Sequence, residues 1–251
     1  PWYTPIGTFT QGSAFPTLAS ISLNTTRYML TPYFPCLCYM NEWTLELRVN
    51  YNSGLTFPAT FFDVRPLSTQ FGITMNVASN TSVTVSVASR LASANVFNAV
   101  SVTTTANTWQ HIAVTYSSKT GYALYGNGTR VSTSAVVEPV ASYPICMLGR
   151  AVRNANKTFI GLLNDIRVTP RVLYTGTTYT VPASNLTTNT SRDLIDGTTR
   201  IISTQSGSTT TSNVQRLYIG CSRLDTFRSR HYASKQSILP VAKIGNSICY
   251  Q

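Results

Sequence analysis

The sequence contains few charged residues, and acidic residues are the scarcer kind. Charged side chains make up 11% of the 251 residues, with 8 acidic residues against 19 basic ones, whereas hydrophobic residues make up 43%. Disordered chains combine few apolar residues with much charge, so this composition excludes that class. A chain of this length can bury a core without metal or disulfide staples, and we expect one large domain or two modest ones.

Other features are missing as well. No run approaches the ~20 apolar residues that a membrane-spanning helix needs, and no signal-peptide pattern opens the chain. Because the first residue is Pro1, we expect a chain that was processed, cut from something longer or whose start is missing. The cysteines match no zinc pattern, and we expect them to be small buried side chains. They are Cys36, Cys38, Cys146, Cys221 and Cys249.

What the sequence does contain favours β-strands. Ser, Thr, Val and Tyr are abundant, and β-branched and aromatic residues fit a pleated, half-buried surface. From Trp43 to Tyr51 apolar and polar residues alternate strictly, which indicates a strand with one face buried. The same period of two predicts further strands, and no window carries the helical period. These strands cover residues 71–77, 83–87, 110–116, 122–125, 129–131 and 159–168.

Five segments follow one another along the chain: Trp43–Val49, Trp109–Tyr116, Leu124–Gly128, Met147–Arg150 and Phe159–Val168. Their order and spacing resemble the laminin-G-like, or concanavalin A-like, jelly-roll family. The resemblance covers about residues 8–184 and implies an all-β fold, a two-sheet antiparallel β-sandwich. The stretch from Asp165 to Pro182 looks most like versions of this domain found in virion proteins of phages and other viruses.

The physics of such a sandwich explains why some of these residues would recur. Gly128 can take the positive φ that a tight hairpin turn demands. Gly149 and Gly161 would allow close approach of strands or rings. Trp109 is large enough to join both sheets across the core. We therefore predict structural roles for these four residues.

Asp165 and Arg167 stand two apart on one predicted strand, so we expect them to share a face. There they would pair with each other or hold neighbouring loops, which is a structural role. We expect no cofactor. Relatives of this fold sometimes bind calcium through loop carboxylates and carbonyls, but no such ligands can be matched here, so no metal site is assigned.

The residues that catalysis needs are not found. Some relatives of the fold hydrolyse glycosides with two carboxylates. These lie about 5–5.5 Å apart in retaining enzymes and roughly 6.5–9.5 Å apart in inverting ones. Glu42 and Glu46 would share a strand face but stand about 13 Å apart. His111 lies within a strand, which favours a packed histidine, and His231 lies among positive side chains that disfavour its protonated form. Neither a nucleophile elbow nor a phosphate-binding loop is present, so we predict no catalytic residues.

Positive charge is concentrated near the end of the chain. Residues 1–191 carry 11 basic and 5 acidic side chains, and the last 60 residues carry 8 and 3. We predict a sandwich over residues 1–184, then a linker and basic C-terminal extension over 185–251. We expect the extension to dock the domain onto a partner chain or to fold back as extra strands. The docking candidates are Arg223, Arg228, Arg230 and Lys235.

These observations favour a non-enzymatic binding protein. Our first hypothesis is a virion component, such as a capsid decoration, fibre or attachment protein, that contacts other structural chains or a surface glycan. The alternative is a secreted or cell-surface lectin. A nucleic-acid-binding function is supported by net charge alone and ranks third. We expect a virion or extracellular location, with the ligand-binding residues unassigned. Aromatic residues that could form a sugar platform are Tyr3, Tyr33, Phe34, Tyr39 and Tyr51.

Overall fold

The computed structural model describes most of the first 183 residues and short strands beyond them. Regular structure there is almost all β-strand, with Leu37 as the one helical residue. Within the described part, no helix is long and apolar enough to cross a membrane. The described residues are 4–6, 20–32, 37, 40–64, 72–89, 95–140, 145–152, 157–183, 200–202, 217–218, 242–244 and 247–249.

The strands are numbered in chain order. They are β1 (Thr4–Ile6), β2 (Ile21–Leu23), β3 (Tyr28–Pro32), β4 (Glu42–Tyr51), β5 (Ala59–Val64), β6 (Gly72–Ser79), β7 (Ser82–Ala88), β8 (Asn95–Thr103), β9 (Gln110–Ser117), β10 (Gly121–Gly126), β11 (Thr129–Ser134), β12 (Ile145–Leu148), β13 (Gly161–Thr169), β14 (Arg200–Ile202), β15 (Leu217–Tyr218), β16 (Ala242–Ile244) and β17 (Ser247–Cys249).

The strands form two antiparallel sheets, as the sequence predicts. One sheet has the order β1-β3-β12-β5-β6-β7-β8. The other has the order β11-β10-β9-β4-β13-β14-β15, and β2 pairs with β13 beside this path. The remaining pair, β16 and β17, forms a separate hairpin. The predicted β-sandwich is therefore confirmed.

The core lies between the two sheets and follows the predicted alternation. The apolar positions of β4 and the alternate valines of β7 have no exposed surface. The polar positions of β4 depart from the prediction, because Thr44 and Glu46 are also fully buried and Arg48 is 3% exposed. Alternation identified the face that meets the other sheet, but did not reveal a second covering layer.

Of the two tryptophans that the structure describes, Trp43 lies in the core and Trp109 does not. Trp43 is fully buried, with its ring centroid 5.5 Å from that of Tyr116 and 5.8 Å from that of Tyr122. Trp109 is only partly buried and lies outside the core cluster. The physical reason is position: Trp109 precedes Gln110, where β9 begins, so it lies beyond the pleat that directs alternate side chains inward.

A β-bulge in β13 changes the predicted relation of Asp165 and Arg167. The register with β4 shifts between Asn164 and Arg167, and Asp165 has a φ of 49°. Each residue has an oppositely charged partner on β4. Asp165 lies 3.3 Å from Arg48, and Arg167 lies 2.6 Å from Glu46.

Part of the predicted C-terminal extension adds strands to the sandwich. Ile202 pairs with Ile166 on β13, and Tyr218 pairs with Ile201 on β14. This is the arrangement expected if the extension folds back. The docking candidates Arg223, Arg228, Arg230 and Lys235 lie outside the described residues, so docking through them stays a prediction.

Candidate functional site

The outer face of the eight-stranded sheet is covered by residues 170–183, here called the strap. Backbone hydrogen bonds hold the strap against the β10–β11 hairpin: Arg130 N donates to Thr177 O, and Tyr179 N donates to Gly128 O, each at 2.8 Å. The Tyr125 hydroxyl donates to the carbonyl oxygens of Tyr174 and Gly176 at 3.0 Å. The strap is therefore fixed along much of its length.

Beneath the strap lies a group of polar side chains, here called the sealed cluster. It combines charged groups from three neighbouring strands with two tyrosines of the strap. Its members are Glu46, Arg48, His111, Asp165, Arg167, Tyr174 and Tyr179.

Glu46 is the centre of this cluster. Its Oε1 accepts hydrogen bonds from Arg167 Nε at 2.8 Å and Nη2 at 2.6 Å. Its Oε2 lies 2.7 Å from the Tyr174 hydroxyl and 3.1 Å from His111 Nε2. Burial opposes ionisation of this carboxyl group, but the hydrogen bond from His111 and the charge of Arg167 outweigh it. The pKa of Glu46 therefore lies below its ordinary value.

His111 links Glu46 to the strap. An ionised carboxylate only accepts hydrogen bonds, so His111 Nε2 donates to Glu46. On the other side of the ring, Nδ1 lies 2.7 Å from the Tyr179 hydroxyl. Tyr179 stacks on Tyr174 with ring centroids 3.6 Å apart. Burial raises the pKa of both tyrosines, so their hydroxyls stay protonated, and that of Tyr174 donates to Glu46.

Arg48 and Asp165 complete the cluster. Arg48 Nε donates to Asp165 Oδ2 at 3.3 Å, and Arg48 Nη2 donates to the carbonyl oxygen of Pro182 in the strap. Asp165 has no exposed surface, and its positive φ is uncommon for a residue other than glycine. We infer that the bulge persists because it turns this carboxylate toward Arg48.

The sealed cluster contains groups that elsewhere perform acid–base catalysis, but it has no access to a substrate. A general base must reach the proton that it abstracts. Glu46 is fully buried and His111 is 2% exposed, and their polar atoms already bind one another. The packed His111 that the sequence predicts is found, although on this outer layer rather than between the sheets. The cluster's geometry suits holding the strap in place.

Two of the glycines predicted to be structural lie where a side chain would collide. Gly128 has a φ of +84°, and a Cβ there would lie 2.5 Å from the carbonyl oxygen of Tyr179. A Cβ on Gly161 would overlap the carbonyl oxygen of Asn50 on β4. Gly128 therefore lets the strap approach the β10–β11 turn, and Gly161 lets β13 approach β4.

The outer face of the seven-stranded sheet is different, because it carries an open line of neutral polar side chains. Thr60, Asn76, Thr84 and Ser101 are successive partners across β5, β6, β7 and β8. We call these four residues the polar row. Since neighbouring strands lie about 4.8 Å apart, the row is roughly 14 Å long. It crosses the sheet in the direction of its hydrogen bonds.

Most of the polar row is accessible. Asn76 and Thr84 are partly exposed, and Ser101 is exposed. Thr60 is buried and donates to Asn76 Oδ1 at 2.6 Å. In the part of the chain that the structure describes, the hydroxyls of Thr84 and Ser101 make no hydrogen bond. The row therefore offers donors and acceptors to a ligand.

One end of the row meets Tyr28 and Arg150, here called the basic corner. Met29 lies in the core, so by strand alternation Tyr28 lies on the outer face. The Arg150 guanidinium carbon lies 4.8 Å from the centroid of the Tyr28 ring, a distance typical of a cation–π contact. Gly149 N donates to Phe61 O at 3.0 Å, so Arg150 and Thr60 are each one residue along the chain from this hydrogen-bonded pair.

The sequence did not identify this open face as a site. Tyr51, one of the aromatic candidates for a sugar platform, belongs to the core: it is fully buried, and its hydroxyl lies 2.6 Å from Thr104 Oγ1. The other aromatic candidates, Tyr3, Tyr33, Phe34 and Tyr39, lie outside the described residues. The sequence did contain a signal for this face. Alternation in β6 and β7 places Asn76 and Thr84 on the face of the sheet opposite to that of the buried valines.

Comparisons with known proteins identify the fold. The family model of the concanavalin A-like lectin/glucanases superfamily of laminin-G type matches residues 23–177, more than half of the chain. The binding domain of Paraclostridial mosquitocidal protein 1 is similar, with a TM-score of 0.50 and 15% identity over 68% of this chain and 44% of that one. No curated protein sequence matches the chain.

Two botulinum neurotoxin binding domains are similar to the same degree. That of neurotoxin DC, solved in complex with SialylT, has a TM-score of 0.50 and 12% identity over 68% of this chain and 43% of that one. That of serotype G has the same TM-score and identity and is covered over 44% of its length. The chain thus spans less than half of these structures, and the likeness concerns the fold.

Proposed function

Because the chain belongs to the concanavalin A-like lectin/glucanases superfamily, we propose that it is a non-enzymatic binding protein that recognises a glycan through the polar row. The observation that carries this proposal is the contrast between the two outer faces. The groups capable of acid–base chemistry are sealed under the strap, whereas neutral hydroxyl and amide groups stand open on the other sheet.

The chemistry of the row suits a sugar. Hydroxyl groups both donate and accept hydrogen bonds, and an amide offers both functions in a fixed plane. Sugar hydroxyls present the same mixture, so Asn76, Thr84 and Ser101 can pair with them. A row on paired strands is also more rigid than a loop, which lowers the entropy lost on binding. The SialylT complex of neurotoxin DC supports glycan binding by this fold.

As the setting, we propose the surface of a virion, where the sandwich would contact a host glycan and its own assembly. The support is the virion-like closing stretch from Asp165 to Pro182. Exposed apolar side chains favour an assembly contact as well: Val131 on edge strand β11 is 40% exposed and Val137 is 47% exposed. A secreted or cell-surface lectin is the second candidate, supported by the same open face.

A glycan array tests the proposed function. The 251-residue chain should bind a defined subset of glycans, and the double variant N76A/T84A should lose that binding at least tenfold. Thr133→Ala is the matched control, because Thr133 is an exposed strand threonine on β11 of the other sheet. Absence of any glycan binding, or equal binding by N76A/T84A, would exclude the row as a sugar site.

Two further measurements test the rest of the proposal. Incubation with polysaccharides and esters should leave them intact, and hydrolysis that tracks the folded protein would contradict a non-enzymatic role. Mass spectrometry of the native source should find the chain in fixed stoichiometry with particle proteins. Recovery as a free secreted protein would favour the lectin instead.

A further inference from the structure

The charges that reach the surface are mostly positive. Among the side chains that the structure describes, Glu46, Asp63 and Asp165 have no exposed surface. The remaining carboxylates, Glu42 and Glu138, are partly exposed. Several basic side chains are at least partly exposed: Arg27, Lys119, Arg130, Arg150, Lys157 and Arg171.

Both exposed carboxylates lie away from the polar row. Glu42 begins β4 on the other sheet, where its Oε1 accepts from Ser117 Oγ at 3.3 Å. Glu138 Oε2 accepts from Ser89 Oγ at 3.3 Å. Ser89 is five residues along the chain from Thr84, or roughly 17 Å by the strand rise. The carboxylate nearest the row is that of the buried Asp63, which pairs with Thr74 two residues from Asn76 and accepts a hydrogen bond from Val152 N at 2.9 Å. No exposed carboxylate among the described residues lies beside the row.

Lys157 borders the row, because its carbonyl oxygen accepts a hydrogen bond from Thr60 N at 3.3 Å. Arg150 is the other nearby cation and the one whose side chain is held by a ring. Among the described residues it pairs with no carboxylate, and its guanidinium is held over the Tyr28 ring. A guanidinium has five N–H donors in a planar fork that matches the oxygens of a carboxylate or sulfate. Contact with the ring occupies one flat side of this group and leaves its N–H edges for a ligand.

From this geometry we propose that the ligand is an anionic glycan, whose carboxylate or sulfate group is bound by Arg150 while its hydroxyls bind the polar row. This inference rests on the proposed function and adds the class of ligand. Charge-assisted hydrogen bonds to a guanidinium are about twice as strong as neutral ones. The anionic group therefore provides most of the selectivity, and the row provides the remaining contacts.

The same surface does not suit nucleic acid. Single strands are bound by a cationic groove with aromatic side chains on which successive bases stack. The polar row contains no aromatic residue, and the one ring beside it, Tyr28, faces Arg150. Strong phosphate binding draws on several cations along the backbone, whereas the two cationic residues beside the row, Arg150 and Lys157, both lie at its Thr60 end.

Matched forms of one oligosaccharide test the inference. Chondroitin sulfate, unsulfated chondroitin and carboxyl-reduced unsulfated chondroitin share a backbone and differ in sulfate and carboxylate. Titration calorimetry of the 251-residue chain at fixed salt should give at least tenfold tighter binding of one anionic form than of the neutral form. Arg150→Gln should remove that preference and leave binding of the neutral form unchanged.

Three further samples test whether another cation, the basic extension or nucleic-acid binding accounts for the affinity. Lys119→Gln removes an exposed cation from the β9–β10 turn and should bind like the parent chain. The variant R223Q/R228Q/R230Q/K235Q removes the basic extension as a source of affinity. A single-stranded DNA oligonucleotide should bind more weakly than the preferred anionic form. Thermal unfolding of each variant checks that the fold is retained.

Several outcomes would overturn the inference. Equal binding of neutral and anionic forms would leave glycan recognition intact but remove its charge selectivity. Loss of binding in the extension variant, with R150Q unaffected, would place the anion site elsewhere. Tighter binding of DNA would indicate the wrong class of polymer. If no form binds and the glycan array is also negative, the proposed function fails as well.

Discussion

The outer face of the eight-stranded sheet carries Glu46, Arg48 and Arg167 under the strap. The outer face of the seven-stranded sheet carries the neutral polar row, most of which is in contact with solvent, and one buried carboxylate, Asp63. Charged groups that leave water need partners, because an unpaired buried charge is very costly. Neutral hydroxyls at a surface carry no such requirement. One face is therefore specialised for holding the chain together, and the other remains available for a ligand.

Glu46→Gln, on the covered face, should cause the largest decrease in the free energy of unfolding. It removes the negative charge that Arg167 and His111 contact and leaves the Arg167 guanidinium buried without it. Breaking a buried ion pair in this way typically costs about 3–5 kcal/mol. Urea unfolding followed by circular dichroism measures the loss. Glu138→Gln is the matched control, because Glu138 is partly exposed, and a similar loss in both variants would contradict the special role of the sealed cluster.

Tyr179→Phe should have a smaller effect on the same face. It keeps the ring stacked on Tyr174 but removes the hydroxyl that lies 2.7 Å from His111 Nδ1. Leaving a buried polar group without its partner costs about 1–3 kcal/mol. Tyr28→Phe on the open face is the control. If both variants unfold at the same urea concentration, the strap is not held by this hydrogen bond.

Acid should weaken the covered face by protonating Glu46. The pKa of Glu46 is lower in the folded state than its ordinary value of 4.5. Its contribution to stability is therefore complete above that value and is lost as the pH falls through the folded pKa. Unfolding free energies measured from pH 6 to pH 3 should fall less steeply in Glu46→Gln than in the parent chain. Parallel curves would contradict this assignment.

Thr84→Ala should have the smallest effect on stability and the clearest effect on binding. Thr84 is partly exposed and makes no side-chain hydrogen bond among the described residues, so its loss should change the unfolding free energy by less than about 0.5 kcal/mol. Binding to the glycan identified by array should weaken. A stability loss above about 1 kcal/mol would show that the open face also carries structure.

Alternation along the chain predicted the fold well, because sheet packing leaves a direct trace in sequence. Residues 43–51 were predicted as a strand, and β4 spans Glu42–Tyr51. Trp109 was misplaced because its motif identified the strand without showing where the strand begins. The bulge at Asp165 was also unpredictable, since a local shift of register leaves no period to detect.

The sequence by itself determined the fold class, the strands and which faces meet in the core, because each depends on residues close together in the chain. Only the tertiary structure decided whether each outer face is covered by other residues or by solvent. Glu46 and Tyr174 are 128 residues apart, and Thr60 and Ser101 align only through the registers of intervening strands. Polar alternation looks the same whether a strap or solvent covers it, so the sealed cluster and the polar row became distinguishable only once the chain was folded.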